Sequence, residues 1–101
     1  MQVEPISNHE EVVVVLEGEL DHHSAVTVKE ELDELIMNPE VRRLVLDMAG
    51  VHFMDSSGIG VVLGRYRTLK KRGGSVGVKN VSDRVDHIFK MSGLYQVVEK
   101  L

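Results

Sequence analysis

The residue types with most chemical potential fall in one stretch, Phe53-Met54-Asp55-Ser56-Ser57-Gly58-Ile59-Gly60-Val61-Val62-Leu63-Gly64. A carboxylate stands beside two hydroxyls, and three glycines follow at positions 58, 60 and 64. Upstream, Leu44-Val45-Leu46-Asp47-Met48 is an apolar run suited to a buried strand, ended by Ala49-Gly50. Downstream, Ile59, Val62, Leu63, Tyr66 and Leu69 recur at three- and four-residue steps, which predicts a helix from about residue 57 to residue 71. A serine just before such a run satisfies an orphan backbone N–H, so either Ser56 or Ser57 serves as N-cap. Each glycine costs a helix interior roughly 1 kcal/mol relative to Ala. Close packing onto a sheet, or close approach of another molecule, would offset that cost. Free N–H groups and the positive end of the helix dipole favour a phosphate there, so this junction can hold an acquired charge.

Catalytic readings of the same residues fit less well. A nucleophile elbow requires Gly-x-Ser-x-Gly, and here Met54 or Asp55 occupies the place of the first glycine. Gly58 to Gly64 nearly matches a dinucleotide fingerprint, yet its third glycine is one residue late and no acidic partner follows the next strand. Adjacent His22 and His23 on an extended segment would point apart, which reads as a polar loop rather than a metal site. Asp47 and Asp55 do not supply the acidic pair of a phospho-accepting aspartate. Arg65, Arg67, Lys70, Lys71 and Arg72 read as a solvated helix face. No catalytic constellation, cofactor or metal emerges; the alternative kept open is a small nucleotide-binding domain or enzyme using the glycine-bearing helix start.

The elements that must position this stretch read as a single domain over residues 1–101, with one modest core. At 43% hydrophobic and 28% charged residues the composition is that of a soluble globule. There is no cysteine, no apolar run long enough to span a bilayer and no signal-peptide pattern, which points to a cytoplasmic chain without a membrane partner. A formal charge of −4 argues against nucleic-acid binding.

Residues 1–9 suit an edge strand that tolerates Pro5. Residues 11–17, with the run Val12 to Leu16, suit a strand covered on at least one face and broken by Gly18. After the polar Asp21-His22-His23, Ser24 caps a helix with Val28, Leu32, Leu35 and Ile36 inward, stopped by Asn38-Pro39. Gly73-Gly74 ends the central helix, and residues 75–79 form a strand. Ser82 caps a third helix through Val85, Ile88, Phe89 and Met91, closed by Gly93, and residues 95–99 form a last strand. The fold expected is therefore α/β: a mixed, mostly parallel sheet of four to five strands, its first strand antiparallel at an edge, with helices packed on it.

Phe53 to Tyr66, taken with Gly18-Glu19-Leu20-Asp21-His22-His23-Ser24-Ala25 and Met91-Ser92-Gly93-Leu94, closely resembles the anti-sigma factor antagonists of the STAS superfamily, the sporulation branch in particular. The resemblance covers nearly the whole chain and implies a single STAS-like domain without enzymatic activity. It further implies that the unphosphorylated protein binds an anti-sigma factor that is also an ATP-dependent serine kinase, freeing a sigma factor. The kinase would phosphorylate the first serine of Asp-Ser-Ser-Gly, here Ser56, and a metal-dependent serine phosphatase would restore it. By the same matching, Asp21, His22, His23 and Ser24 form one side of the partner surface, and Asp55, Ser57, Gly58, Ile59 and Gly60 the other. A monomer is expected. Members of this family run on into a last amphipathic helix after the final strand, whereas this sequence stops at Leu101, which would leave some apolar surface uncovered.

Overall fold

The computed structural model describes residues 1–7 and 10–101, with residues 6 and 7 described by their backbone alone. Five strands and three helices follow one another as β1 (Gln2–Ser7), β2 (Glu11–Leu20), α1 (Ala25–Leu35), β3 (Arg43–Met54), α2 (Ser56–Lys70), β4 (Ser75–Lys79), α3 (Asp83–Ser92) and β5 (Glu99–Lys100). They form one sheet in the order β1-β2-β3-β4-β5. The β1–β2 pair is antiparallel and the other three are parallel, as the alternation of strands and helices requires. Pro5 sits on the edge strand opposite Val14, where its missing N–H costs no interior ladder bond. The expected first strand extended over residues 8 and 9, which lie outside the described residues.

Along β2 the even positions Val12, Val14 and Leu16 are buried while Val13 and Val15 are only half-buried, so the continuous apolar run serves one covered face. Leu44, Leu46 and Met48 of β3 and Val76 and Val78 of β4 join that core, which the helices close with Val28 and Leu32, Val62 and Leu69, and Val85 and Phe89. On the opposite side Arg43 binds the strands together. Its Nη1 donates to Ser75 Oγ at 2.9 Å and Glu99 Oε2 at 3.0 Å, and its Nε lies 3.3 Å from Glu11 Oε2.

Two expected strand ends are corrected. Gly18 does not break β2: it takes φ +117 inside the strand, at a register shift against β3, and the strand runs on to Leu20. Ala49-Gly50 likewise does not end β3. A Cβ at Gly50 would stand 3.2 Å from Glu17 Cα, so the glycine admits close contact between two continuing strands. The extra residues matter, because they carry Leu20 and Met54 up to the two loops that form the site.

The C-terminal segment also differs from expectation. Residues 94–96 form a short 3-10 turn, and only Glu99–Lys100 pair with β4. Met91, expected on the inward stripe of α3, is 75% exposed. The segment is anchored through Asp86 of α3. Its Oδ1 accepts from Tyr95 Oη and from Lys100 Nζ at 2.8 Å, and its Oδ2 lies 3.0 Å from Lys90 Nζ. The ammonium of Lys100, then the phenol of Tyr95 and the ammonium of Lys90, hold the Asp86 carboxyl well below the ordinary aspartate range. A folded-state pKa below the unfolded value stabilises the protein above the unfolded pKa, and that stabilisation is lost as pH falls through the folded one. Asp86→Asn is therefore expected to lower the thermal midpoint at pH 7 while narrowing its gap from the wild type as the pH is taken below about 4. Thermal melts of both proteins between pH 7 and pH 2 check this; parallel curves would show that the ion cluster adds nothing.

Candidate functional site

The site is built where the ends of β2 and β3 release their chains into α1 and α2. α2 begins at Ser56, one residue earlier than expected, and its cap is Asp55 rather than either serine. Asp55 is extended, and its Oδ1 accepts from the N–H groups of Ser57 at 2.9 Å and Gly58 at 3.1 Å. Its second oxygen, Oδ2, accepts from the His22 N–H at 3.0 Å, and its own N–H donates to Leu20 O at 3.3 Å. One carboxylate thus starts the central helix and pins the neighbouring loop to it. Ser56 is left exposed as the first residue of α2, its side chain free of the capping role that the sequence allowed it.

The loop held by Asp55 is a tight turn. Asp21 Oδ1 accepts from His23 N–H at 2.9 Å and Ser24 N–H at 3.1 Å, and the Asp21 backbone oxygen accepts from Ala25 N–H at 2.9 Å. Ser24 is the N-cap by position but makes no capping bond; its hydroxyl donates to Glu19 O at 2.7 Å and accepts from Asp21 N–H. The Ser24 N–H above all, and then the His23 N–H, hold the Asp21 carboxyl below the ordinary aspartate range, so it is ionised at neutral pH. The expected histidine geometry is corrected: the segment turns, and the His22 and His23 rings meet edge to face with centroids 5.8 Å apart instead of pointing away from one another. Both are exposed, and among the described residues no group of three or more His, Cys, Asp or Glu side chains gathers as a metal site would.

The glycines of α2 divide by role. Gly58 is buried, and a Cβ there would lie 2.4 Å from Leu20 O and 2.9 Å from Leu20 Cγ, so this glycine lets α2 press onto the end of β2. Gly60 is exposed, and nothing stands within 4 Å of a Cβ placed on it. Ile59 is half-buried against the core. Thus Asp21 to Ser24, Asp55 to Ser57 and Gly60 come together on one surface, with Gly58 beneath it. Gly60→Ala is expected to raise stability by roughly 1 kcal/mol, since it removes helix-interior glycine and meets no obstacle. The same variant should bind a partner packed on that surface less tightly. Thermal melts and titration calorimetry read the two effects separately, and a gain in stability with unchanged binding would deny Gly60 any contact role.

Sequence reasoning missed the most unusual charge. Arg65, assigned to a solvated face, is 6% exposed and sits between α1 and α2 with Nε 2.9 Å from Asp33 Oδ1. Arg72, also assigned there, turns its Nη1 to the backbone oxygens of Ile36, Asn38 and Val41 and ties down the chain beyond α1. The signal available was spacing: Arg65 falls four residues after Val61 and four before Leu69, on the inward side of α2.

A mixed five-stranded sheet of this connectivity, with an exposed serine at the start of a glycine-rich helix, defines a class, and comparison with known proteins agrees. The STAS domain family matches residues 1–101. An anti-sigma F factor antagonist from Paenibacillus polymyxa is 39% identical over 99 residues, covering 97% of this chain and 84% of its own length. The solved structure of the anti-sigma factor antagonist SpoIIAA in its unphosphorylated form superposes with a TM-score of 0.84 at 35% identity, covering 99% of this chain and 86% of that one. The phosphorylated form of the Bacillus cell fate determinant SpoIIAA gives 0.75 at 34% identity, over 99% and 89% of the two chains. The chain belongs to the STAS domain family, in its group of anti-sigma factor antagonists. Proteins of that group are regulatory binding proteins rather than enzymes. Among the described residues no helix is long and apolar enough to cross a membrane.

Proposed function

We propose that this chain is a partner-switching antagonist controlled by phosphorylation of Ser56. In its unphosphorylated form it binds an anti-sigma factor that is also a serine kinase, and so frees a sigma factor, of the sporulation type by sequence likeness. The kinase transfers phosphate to Ser56 and loses its hold; a serine phosphatase removes the phosphate and resets the protein. It works as a cytoplasmic monomer, without nucleic acid, membrane or cofactor of its own.

The observation that carries this reading is the state of Ser56. It is exposed at the first position of α2, relieved of capping by Asp55 and flanked by the turn that Asp55 anchors. A hydroxyl so placed is accessible to a kinase, and a phosphate on it meets the positive end of a helix dipole. The existence of solved phosphorylated and unphosphorylated forms of similar proteins supports the same chemistry. Incubation with ATP and the anti-sigma factor kinase, followed by mass spectrometric mapping, tests it. One phosphate on Ser56, absent in Ser56→Ala, is expected; phosphate elsewhere, or none, would overturn the assignment.

The anchored turn supplies the second half of the surface. Asp21 Oδ1 is engaged by its own turn, so truncation would loosen the loop as well as remove a charge. Asp21→Asn keeps an oxygen for those N–H groups and removes only the charge. It is expected to weaken kinase binding about tenfold, as loss of one charge-assisted bond to a partner cation would, with only a small fall in the melting midpoint, since the ionised carboxylate also strengthens its own turn. Calorimetry at two salt concentrations checks it: equal affinity, or a salt slope identical to wild type, would remove Asp21 from the interface.

A further inference from the structure

Next to Ser56 a cleft of about 200 Å³ opens between α1 and α2, sharing Ser57 and Gly60 with the surface already described and adding residues that have no role so far. Its wall is mainly carbon: Ala25 and Val26 from α1, Gly60 and Val61 from α2. Val26 is 64% exposed although it is a large apolar side chain in the first turn of a helix. The charges lining it are cationic, Lys29 and Arg65. Arg65 is 6% exposed, and among the described residues neither its Nε nor its Nη1 has a hydrogen-bond partner, Asp33 Oδ1 standing close to Nε as an ion pair without hydrogen-bond alignment. Asp33 is shared between the two cations, 2.9 Å from Arg65 Nε and 3.7 Å from Lys29 Nζ, so one carboxylate faces two positive groups. A buried guanidinium N–H left without an acceptor is unfavourable, and an added acceptor relieves it.

We propose that this cleft receives an acidic side chain from the kinase, its aliphatic stem lying against Val26 and Val61 and its carboxylate answering Arg65 and Lys29. The inference rests on the kinase-binding reading above and extends that surface from the Ser56 junction along α1 and α2. A carboxylate carried on carbon fits better than a free anion, because a hydrated phosphate would gain nothing from the carbon wall. Ser57 lines the cleft as well and joins it to the phosphorylatable serine, so one partner segment can cover both. The empty space over Gly60 gives such a segment room to enter.

The test compares Val26→Asp with Val26→Asn, two variants of equal size that differ in charge. Asp in the first turn of α1 suits the helix dipole, so folding is not the quantity at risk. With the full-length protein and its anti-sigma factor kinase in a calorimeter, Val26→Asp is expected to bind about tenfold more weakly than Val26→Asn, because its carboxylate takes the place of the partner's. A photoreactive benzoylphenylalanine at position 26 should cross-link to a kinase segment bearing Asp or Glu. Equal affinities of the two variants, or cross-linking to a segment without an acid, would overturn the acidic-segment assignment while wild-type binding and Ser56 phosphorylation stood. If the wild type itself failed to bind the kinase, the switch reading would fall and this inference with it.

Discussion

Phosphorylation of Ser56 is expected to lower affinity for the anti-sigma factor kinase by about a hundredfold or more while leaving the fold in place. A phosphoserine brings roughly −1.5 to −2 charge and three acceptor oxygens. On the antagonist this charge sits at the N-terminus of a 15-residue helix, in solvent, where the dipole favours it. Asp55 already satisfies the Ser57 and Gly58 N–H groups, so the phosphate displaces no existing cap. The cost falls on the partner, which must bury that charge or pair it, and an unpaired buried charge costs several kcal/mol. Since each 1.4 kcal/mol is a factor of ten, two such steps already release the kinase. Ser56→Asp, with less charge and a shorter reach, should reproduce part of the loss, and Ser56→Ala should bind but never be released. Affinities measured by calorimetry for the four proteins give the order, and tight binding by Ser56→Asp would contradict it.

Gly58→Ala should be the most damaging single methyl group near the site. Ala gains about 1 kcal/mol of helix propensity over Gly. Against this, the added Cβ would stand 2.4 Å from Leu20 O, a backbone atom that cannot swing aside and that also accepts the Asp55 N–H. Relief requires α2 to lift from the end of β2, which drags the cap and the pinned turn with it. A net loss of about 2 kcal/mol is expected, within the range for overpacked sites. For a domain of this size that lowers the melting midpoint by roughly 8–16 °C. The sign contrasts with Gly60→Ala, two residues along the same helix, where the new methyl meets open space. Chemical denaturation of the pair decides the matter: if both variants gained stability, the close approach of α2 to Leu20 would not be the reason for glycine at 58.

Much of this architecture was legible in the chain because local chemistry and global fold agree. Ser82 caps α3 with its hydroxyl on Val85 N–H, and Gly93 closes it at φ +80, both as helix signals predict. The alternation of strands and helices accounts for the parallel pairs, and the helix-free step from β1 to β2 for the antiparallel edge. The misreadings have physical causes. Asp55, Ser56 and Ser57 are all good capping residues, and only the extended backbone at 55 and the reach of its carboxylate choose between them. Gly18 and Gly50 look like strand breakers, yet the first bends a continuing strand at a register shift and the second lets two strands touch. The bond from His22 to Asp55 spans 33 positions, and no local pattern announces it. Nothing in its charge marks Arg65 as buried, because its burial depends on α1 lying over it, with Asp33 beside its Nε.

The account stands most directly on whether the Ser56 phosphate acts locally. Amide chemical shifts of the protein before and after stoichiometric phosphorylation, recorded on the sample whose kinase affinity is then measured, answer this. Shifts confined to residues 20–24 and 54–60, with kinase binding lost, are the predicted result. Shifts spread through β3, β4 and α3, or full affinity retained with the phosphate in place, would contradict it.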